Sequence, residues 1–156
     1  MSIVVPFDGS ELSRAALRRA RQFQSVLDER LVAVTVVERN AERARERGWL
    51  DDEEEFDADR VVGAIHEAVA ELAPEADFRH ELLGRRASAG AVARHVRSMA
   101  REEDANIVFV GSENAGNLVS SVSSVGSSVA ADDYYDVFIV RHTEPGAGAQ
   151  PAEEYR

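Results

Sequence analysis

The amino-acid sequence predicts an α/β fold: an open, mostly parallel sheet, doubly wound with helices on both faces. Three observations carry this expectation. Five strand-like runs alternate with helical stripes, the pattern of successive βαβ units. The first, second and fourth runs are almost unbroken in apolar residues, as strands covered on both faces are. Two strand ends then pass into loops of small residues. One is Pro6-Phe7-Asp8-Gly9-Ser10, and the other is the Gly-, Ser- and Asn-rich block that opens at Gly111. Open α/β sheets build anion and nucleotide sites in this way, with backbone N–H groups and a helix N-terminus facing the ligand.

The strands are expected at Ser2–Pro6, Leu31–Val37, Asp77–Leu83, Asn106–Val110 and Asp136–Arg141. Ser10–Leu27 places Leu12, Ala16, Ala20, Phe23 and Leu27 on one stripe and Arg14, Arg18 and Arg21 off it, the pattern of a surface helix packed on a sheet. Phe56–Leu72 repeats the pattern through Phe56, Val62, Ile65, Val69 and Leu72, and Pro74 stops it. Ser88 is the expected N-cap of a helix whose stripe is Val92, Val96 and Met99. A further short helix after Gly111 would carry Leu118, Val122, Val125 and Val129. Glu38–Asp51 is a connection whose ends the sequence does not mark. Residues 1–142 are thus expected to form one α/β domain, and Thr143–Arg156, which lacks apolar periodicity, a mobile tail.

Composition removes several function classes. The chain has 156 residues, and 44% are hydrophobic, enough for one folded core. No apolar run approaches the roughly 20 residues that span a bilayer, and no charged-then-apolar leader precedes Ile3, so the expected location is cytoplasmic, without membrane insertion. Without cysteine there is no disulfide, thiol nucleophile or thiolate metal site. Asp and Glu number 29 against 18 basic residues, all of them arginine, for a net charge of −11. That balance argues against nucleic acid as a partner. It also predicts a need for high salt, which would screen the self-repulsion. A G-x-x-x-x-G-K-S/T phosphate loop is impossible without lysine, so backbone N–H groups, hydroxyls or arginine would have to hold any phosphate.

Each candidate site residue has a plainer structural role beside it. Asp8 is placed for turn and cap chemistry and equally for ligand contact at the carboxyl end of a central strand. The Gly111–Ser128 block reads as a surface loop and helix or as a phosphate cradle. Asp51–Asp59 holds seven acids in nine positions but lacks the turn glycine of a calcium loop, so it is expected to be the solvated first turn of a helix. His66, His80, His95 and His142 show no ligand spacing and are expected to be surface or packing residues. No G-x-S-x-G elbow supports a serine hydrolase, so no catalytic and no metal residue is assigned.

The opening IVVPFDGSELSRAAL and the Gly111 block together resemble the universal stress protein family, over Ile3 to His142. Val5, Pro6, Asp8, Gly9, Ser10, Ser13, Ala16 and Leu17 match its N-terminal V-P-x-D-G-S and S-x-x-A-L pattern, and the acid excess resembles haloarchaeal members. The resemblance implies a Rossmann-like five-stranded parallel sheet in the order 3-2-1-4-5, with Asp8 and Gly111 on one crevice between the first and fourth strands. It also implies that ATP or another adenine nucleotide binds there, with Mg²⁺ accompanying it, and that Pro6, Asp8 and Val36 line the adenine and ribose end. Nucleotide-binding members carry G-x-x-G-x9-G-S/T after the fourth strand, and this chain departs from that pattern. A gapless register puts Gly111, Asn114 and Ser124 on the glycines and Val125 on the hydroxyl position. A second register keeps Gly116, Gly126 and Ser127 but needs two extra loop residues. Family resemblance further implies a homodimer paired antiparallel through the last strand, at Val137, Phe138, Ile139 and Val140.

The leading functional expectation is therefore a small dimeric stress-response regulator switched by an adenine nucleotide. A dimeric interaction module of the same family without nucleotide is the alternative. A third is an enzyme or carrier on a similar sheet, an adenine-nucleotide hydrolase relative or a flavin-binding protein.

Overall fold

The computed structural model describes residues 1–115 and 134–143. Its elements follow the chain as β1 (Ser2–Pro6), α1 (Glu11–Leu27), β2 (Arg30–Glu38), α2 (Ala41–Glu46), α3 (Ala58–Leu72), β3 (Asp77–Leu83), α4 (Ala89–Glu102), β4 (Ala105–Gly111) and β5 (Asp136–Val140). All five strands pair in parallel in one sheet of order β3-β2-β1-β4-β5. The expected strands therefore form, each within a residue of its expected ends. The helix expected through Leu118, Val122, Val125 and Val129, and residues 144–156, lie outside the described residues.

Alternate side chains of the central strands point to opposite faces, and each face has its own core. Ile3, Val5, Leu31, Ala33 and Phe109 pack with Ala16, Leu17 and Ala20 of α1 and Val61, Ile65 and Val69 of α3. On the other face Val4, Val32, Val34, Val108 and Val110 pack with Met99 and Ala100 of α4. The chain thus puts α1 and α3 on one side and α4 on the other. The reversal of winding falls between β1 and β4, where the loops diverge and leave a crevice.

Two expectations about the β2–β3 connection are corrected. The helix does not begin at Phe56. The Asp57 carboxylate accepts the N–H groups of Asp59 and Arg60 and starts α3 at Ala58, while Phe56 packs against the core just ahead of the cap. Residues 51–55 of the acidic run consequently precede the first turn instead of forming it. Arginines hold that loop: Arg45 donates to the Glu54 carbonyl at 2.6 Å and Arg60 pairs with the Glu54 carboxylate at 2.5 Å.

The second correction concerns Glu38–Asp51, which contains a helix. Asn40 caps α2 by accepting the N–H of Arg43, and Gly48, at φ +81°, closes it. Gly48 N–H reaches the Arg45 carbonyl at 3.0 Å and Trp49 N–H the Ala44 carbonyl at 2.8 Å, a Schellman closure. That closure aims Arg47 and Trp49 back at the end of β1.

Candidate functional site: a cleft at the switch point

Past the end of β1 the chain turns on Asp8, whose Oδ1 accepts the Ser10 N–H at 2.9 Å in an Asx turn. Ser10 then caps α1 by accepting the Ser13 N–H at 3.2 Å, and the Ser13 hydroxyl donates to the Ser10 carbonyl at 3.0 Å. Gly9 between them has φ +84°, and a Cβ there would lie 2.3 Å from Trp49 Cζ2. The glycine therefore does two things: it takes a left-handed conformation and leaves room for the indole. The Thr35 hydroxyl, buried, fixes the neighbouring turn by donating to the Phe7 carbonyl at 2.8 Å.

The second Asp8 oxygen faces the crevice and meets Arg47 at 2.6 Å, and Arg47 also donates to the Asp8 carbonyl at 3.2 Å. Burial pushes the Asp8 carboxyl up, but hydrogen bonds from Ser10 and Arg47, with the Arg47 charge, override it and hold the pKa at about 2. Asp8 thus performs the turn chemistry and faces the crevice at once, one oxygen to each task. Arg14 completes this corner, donating to the Gly9 carbonyl at 3.0 Å with its guanidinium over the Phe7 and Trp49 rings at 5.8 and 6.0 Å.

Around this corner lies a cavity of about 230 Å³ at the carboxyl ends of β1, β2 and β4. Pro6, Val34, Val36 and Val110 wall one part of it, Val92 and Val96 of α4 another, and Trp49 with Ile65 a third. It opens into a wider polar groove of about 710 Å³ that shares Asp8, Arg43, Arg47 and Asn114 with it. An apolar slot with one polar end is the form of a site for a small amphipathic molecule.

The structure brings Pro6, Asp8, Val36 and Asn114 of the expected site together on this cavity. Gly111 ends β4 next to it, turned toward α1, where a Cβ would come within 2.7 Å of Leu12 Cβ. Gly116, Ser124, Val125, Gly126 and Ser127 lie outside the described residues. Sequence reasoning missed Thr35, Arg43, Arg47 and Trp49. For the last three the signal was there: Asn40 and Gly48 frame six good helix formers, Ala41 to Glu46, as an N-cap and a C-terminal stop.

The histidines lie elsewhere. His66 stacks on Phe78 at 4.8 Å, Phe78 on His80 at 5.8 Å, and His95 pairs with Glu81. No group of three or more His, Asp or Glu that could hold a metal ion occurs among the described residues. None of the described helices is long and apolar enough to cross a membrane.

Sheet order, two-sided helical cover and a cleft at the β1/β4 reversal define an open, doubly wound α/β protein with its site at the switch point. Within that class, a sequence model of the universal stress protein family matches residues 1–141, and the chain belongs to that family. Solved structures agree on the fold. A universal stress protein in complex with cAMP is 23% identical, with 92% of this chain and 98% of that one covered and a TM-score of 0.52. The universal stress protein from Archaeoglobus fulgidus in complex with dAMP is 17% identical, with 90% and 98% covered and a TM-score of 0.51. A protein of the family from Burkholderia pseudomallei is 21% identical, with 90% and 95% covered and a TM-score of 0.51. No curated protein matches the sequence as a relative.

Proposed function

We propose that this protein is a cytoplasmic, dimeric stress-response regulator whose switch-point cleft binds ATP or another adenine nucleotide. The observation that carries this reading is the cavity itself. Its apolar slot, between Val34, Val36 and Val110 on the sheet and Val92 and Val96 on α4, suits a flat purine, and its polar end at Asp8 suits a ribose. Family neighbours crystallised with cAMP and dAMP support the same ligand class. No reaction is part of the proposal.

Dimerisation rests on the sheet edges. β5 ends the strand order, with Ile139 42% exposed, whereas the opposite edge, β3, carries Arg79, His80 and Glu81. Charged residues discourage edge pairing, and an apolar edge invites it. A strand that pairs with its own copy across a two-fold axis forms an isologous contact.

Trp49 is the only tryptophan and lines the cavity, so its fluorescence reports occupancy directly. Titration with adenosine and with ATP plus Mg²⁺ should change Trp49 emission and saturate, and Asp8→Ala should weaken the response. No change in emission and no calorimetric heat at millimolar ligand would overturn the reading. The alternative, a nucleotide-free interaction module, draws on one observation: both Asp8 oxygens already have partners, Ser10 and Arg47. The same titration decides between them.

A further inference from the structure

We infer that residues 40–55, between β2 and α3, form a strap that opens as one body, and that the ligand of the proposed adenine site, on which this coupling rests, holds it shut. Past its root, the strap's backbone bonds close on the strap itself. The N–H of Ala44 meets the Asn40 carbonyl at 3.1 Å, that of Arg47 the Arg43 carbonyl at 3.2 Å, and that of Glu54 the Asp51 carbonyl at 3.1 Å. The Gly48 and Trp49 amides bond back to Arg45 and Ala44, and Arg45 ties the two halves together through the Glu54 carbonyl. None of these bonds goes to the sheet, so the strap can leave the strand ends without breaking a strand pair.

Its roots are fixed. Asn40 N–H meets the Glu38 carbonyl at 2.8 Å at one end, and at the other Phe56 packs on the core and Arg60 holds the Glu54 carboxylate. Between the roots, three features hold it down among the described residues. Arg47 grips the Asp8 carboxylate and carbonyl, Trp49 lies against Gly9, and Ala44 and Leu50 are buried. Once those contacts part, α2 has six residues and no packing, and it opens with them.

Arg43, Ala44, Arg47 and Trp49 of the strap line the cavity. A ligand that fills the cavity touches the closed strap and loses those contacts when it opens. It therefore binds the closed form more tightly and shifts the balance toward it. The exposed Glu42 and Glu46 move with the strap, so an outer surface of the protein carries the state of the cleft.

Amide hydrogen exchange of the full chain, with and without adenosine, tests both parts. In the free protein the amides of Ala44, Arg47, Gly48 and Trp49 should share one protection factor, at least about tenfold below that of the paired amides of β1 and β2, and low urea should leave it unchanged. Strap amides as protected as the sheet, or differing among themselves by more than about tenfold, would overturn the strap. With adenosine about 100-fold above its Kd, the sheet amides should slow by about 100-fold and the strap amides by at least about tenfold. A strap slowed by less than that while the sheet slows would overturn the coupling and leave the adenine site standing. Adenosine that slows neither removes the adenine site and the coupling with it.

Discussion

Gly9 and Gly48 allow the corner that builds the cleft to be tested by parts. Both have left-handed backbone, φ +84° and +81°, but a Cβ at Gly48 meets nothing within 4 Å, while one at Gly9 would lie 2.3 Å from Trp49 Cζ2. Gly48→Ala therefore incurs only the backbone term, about 1–2 kcal/mol, partly offset by about 0.4–1 kcal/mol of lost unfolded-state entropy. Gly9→Ala incurs the same term and also an overlap. Carbon atoms rest at about 3.5–4.0 Å, so the indole must withdraw by more than about 1 Å. That withdrawal takes it from the Arg14 guanidinium, 6.0 Å from the ring, and from its packing on the core beside α1 and α3. Overpacking of this kind costs about 1–3 kcal/mol, so Gly9→Ala should lose about 2–4 kcal/mol in all. Folded domains have about 5–15 kcal/mol to lose, so both variants should remain folded. Urea unfolding followed by Trp49 emission and by far-ultraviolet circular dichroism gives both free energies. Gly9→Ala alone should also show native emission shifted to the red. Equal destabilisation of the two variants would refute the proposed contact between Gly9 and the indole.

Three further outcomes are expected. Arg47→Gln should raise the Asp8 pKa from about 2 toward or above its ordinary 3.8, seen by carbon-13 titration of the carboxyl. A depressed carboxyl pKa stabilises the fold above the unfolded value and loses that contribution as pH falls through the folded one. Arg47→Gln should therefore lose about 1 kcal/mol at neutral pH, discounted for a pair about one-third exposed, and the gap to wild type should close between about pH 4 and pH 2; a gap independent of pH would contradict it. The proposed edge pairing predicts a wild type of dimeric mass in light scattering and a monomeric Ile139→Asp, because one inserted charge appears twice in an isologous contact; a monomeric wild type, or a dimer that survives the substitution, would refute edge pairing. The melting midpoint should rise from about 0.1 M to about 3 M KCl as the Debye length shrinks from about 10 Å to below about 3 Å; a flat or falling midpoint would remove the salt requirement drawn from the net charge of −11.

The elements that were legible in the sequence are those whose signal is local. The apolar run Ile3 to Val5 and the stripes of α1 and α3 announce themselves by period, and Ser10 and Ser88 start helices through bonds to residues three positions on. Asp8 was legible as a turn residue at a strand end, since its bond to Ser10 spans two positions. The start of α3 was displaced because the Asp57 cap overrides an apolar period that includes Phe56. Six residues give α2 too little length for an apolar stripe, and Arg and Glu dominate it, so periodicity could not reveal it.

The sequence by itself determined the alternation of strands and helices, the two small-residue strand ends and the family pattern from Val5 to Leu17, because these depend on neighbours along the chain. Only the tertiary structure decided what faces Asp8. The Schellman closure of α2 turns Arg47 onto the carboxylate and Trp49 onto Gly9, and the groove gathers Glu11, Glu42, Glu46 and Glu113 from three separate segments. Charge and space at that site come from residues far apart in the chain, and sheet order and helix packing set their mutual distance.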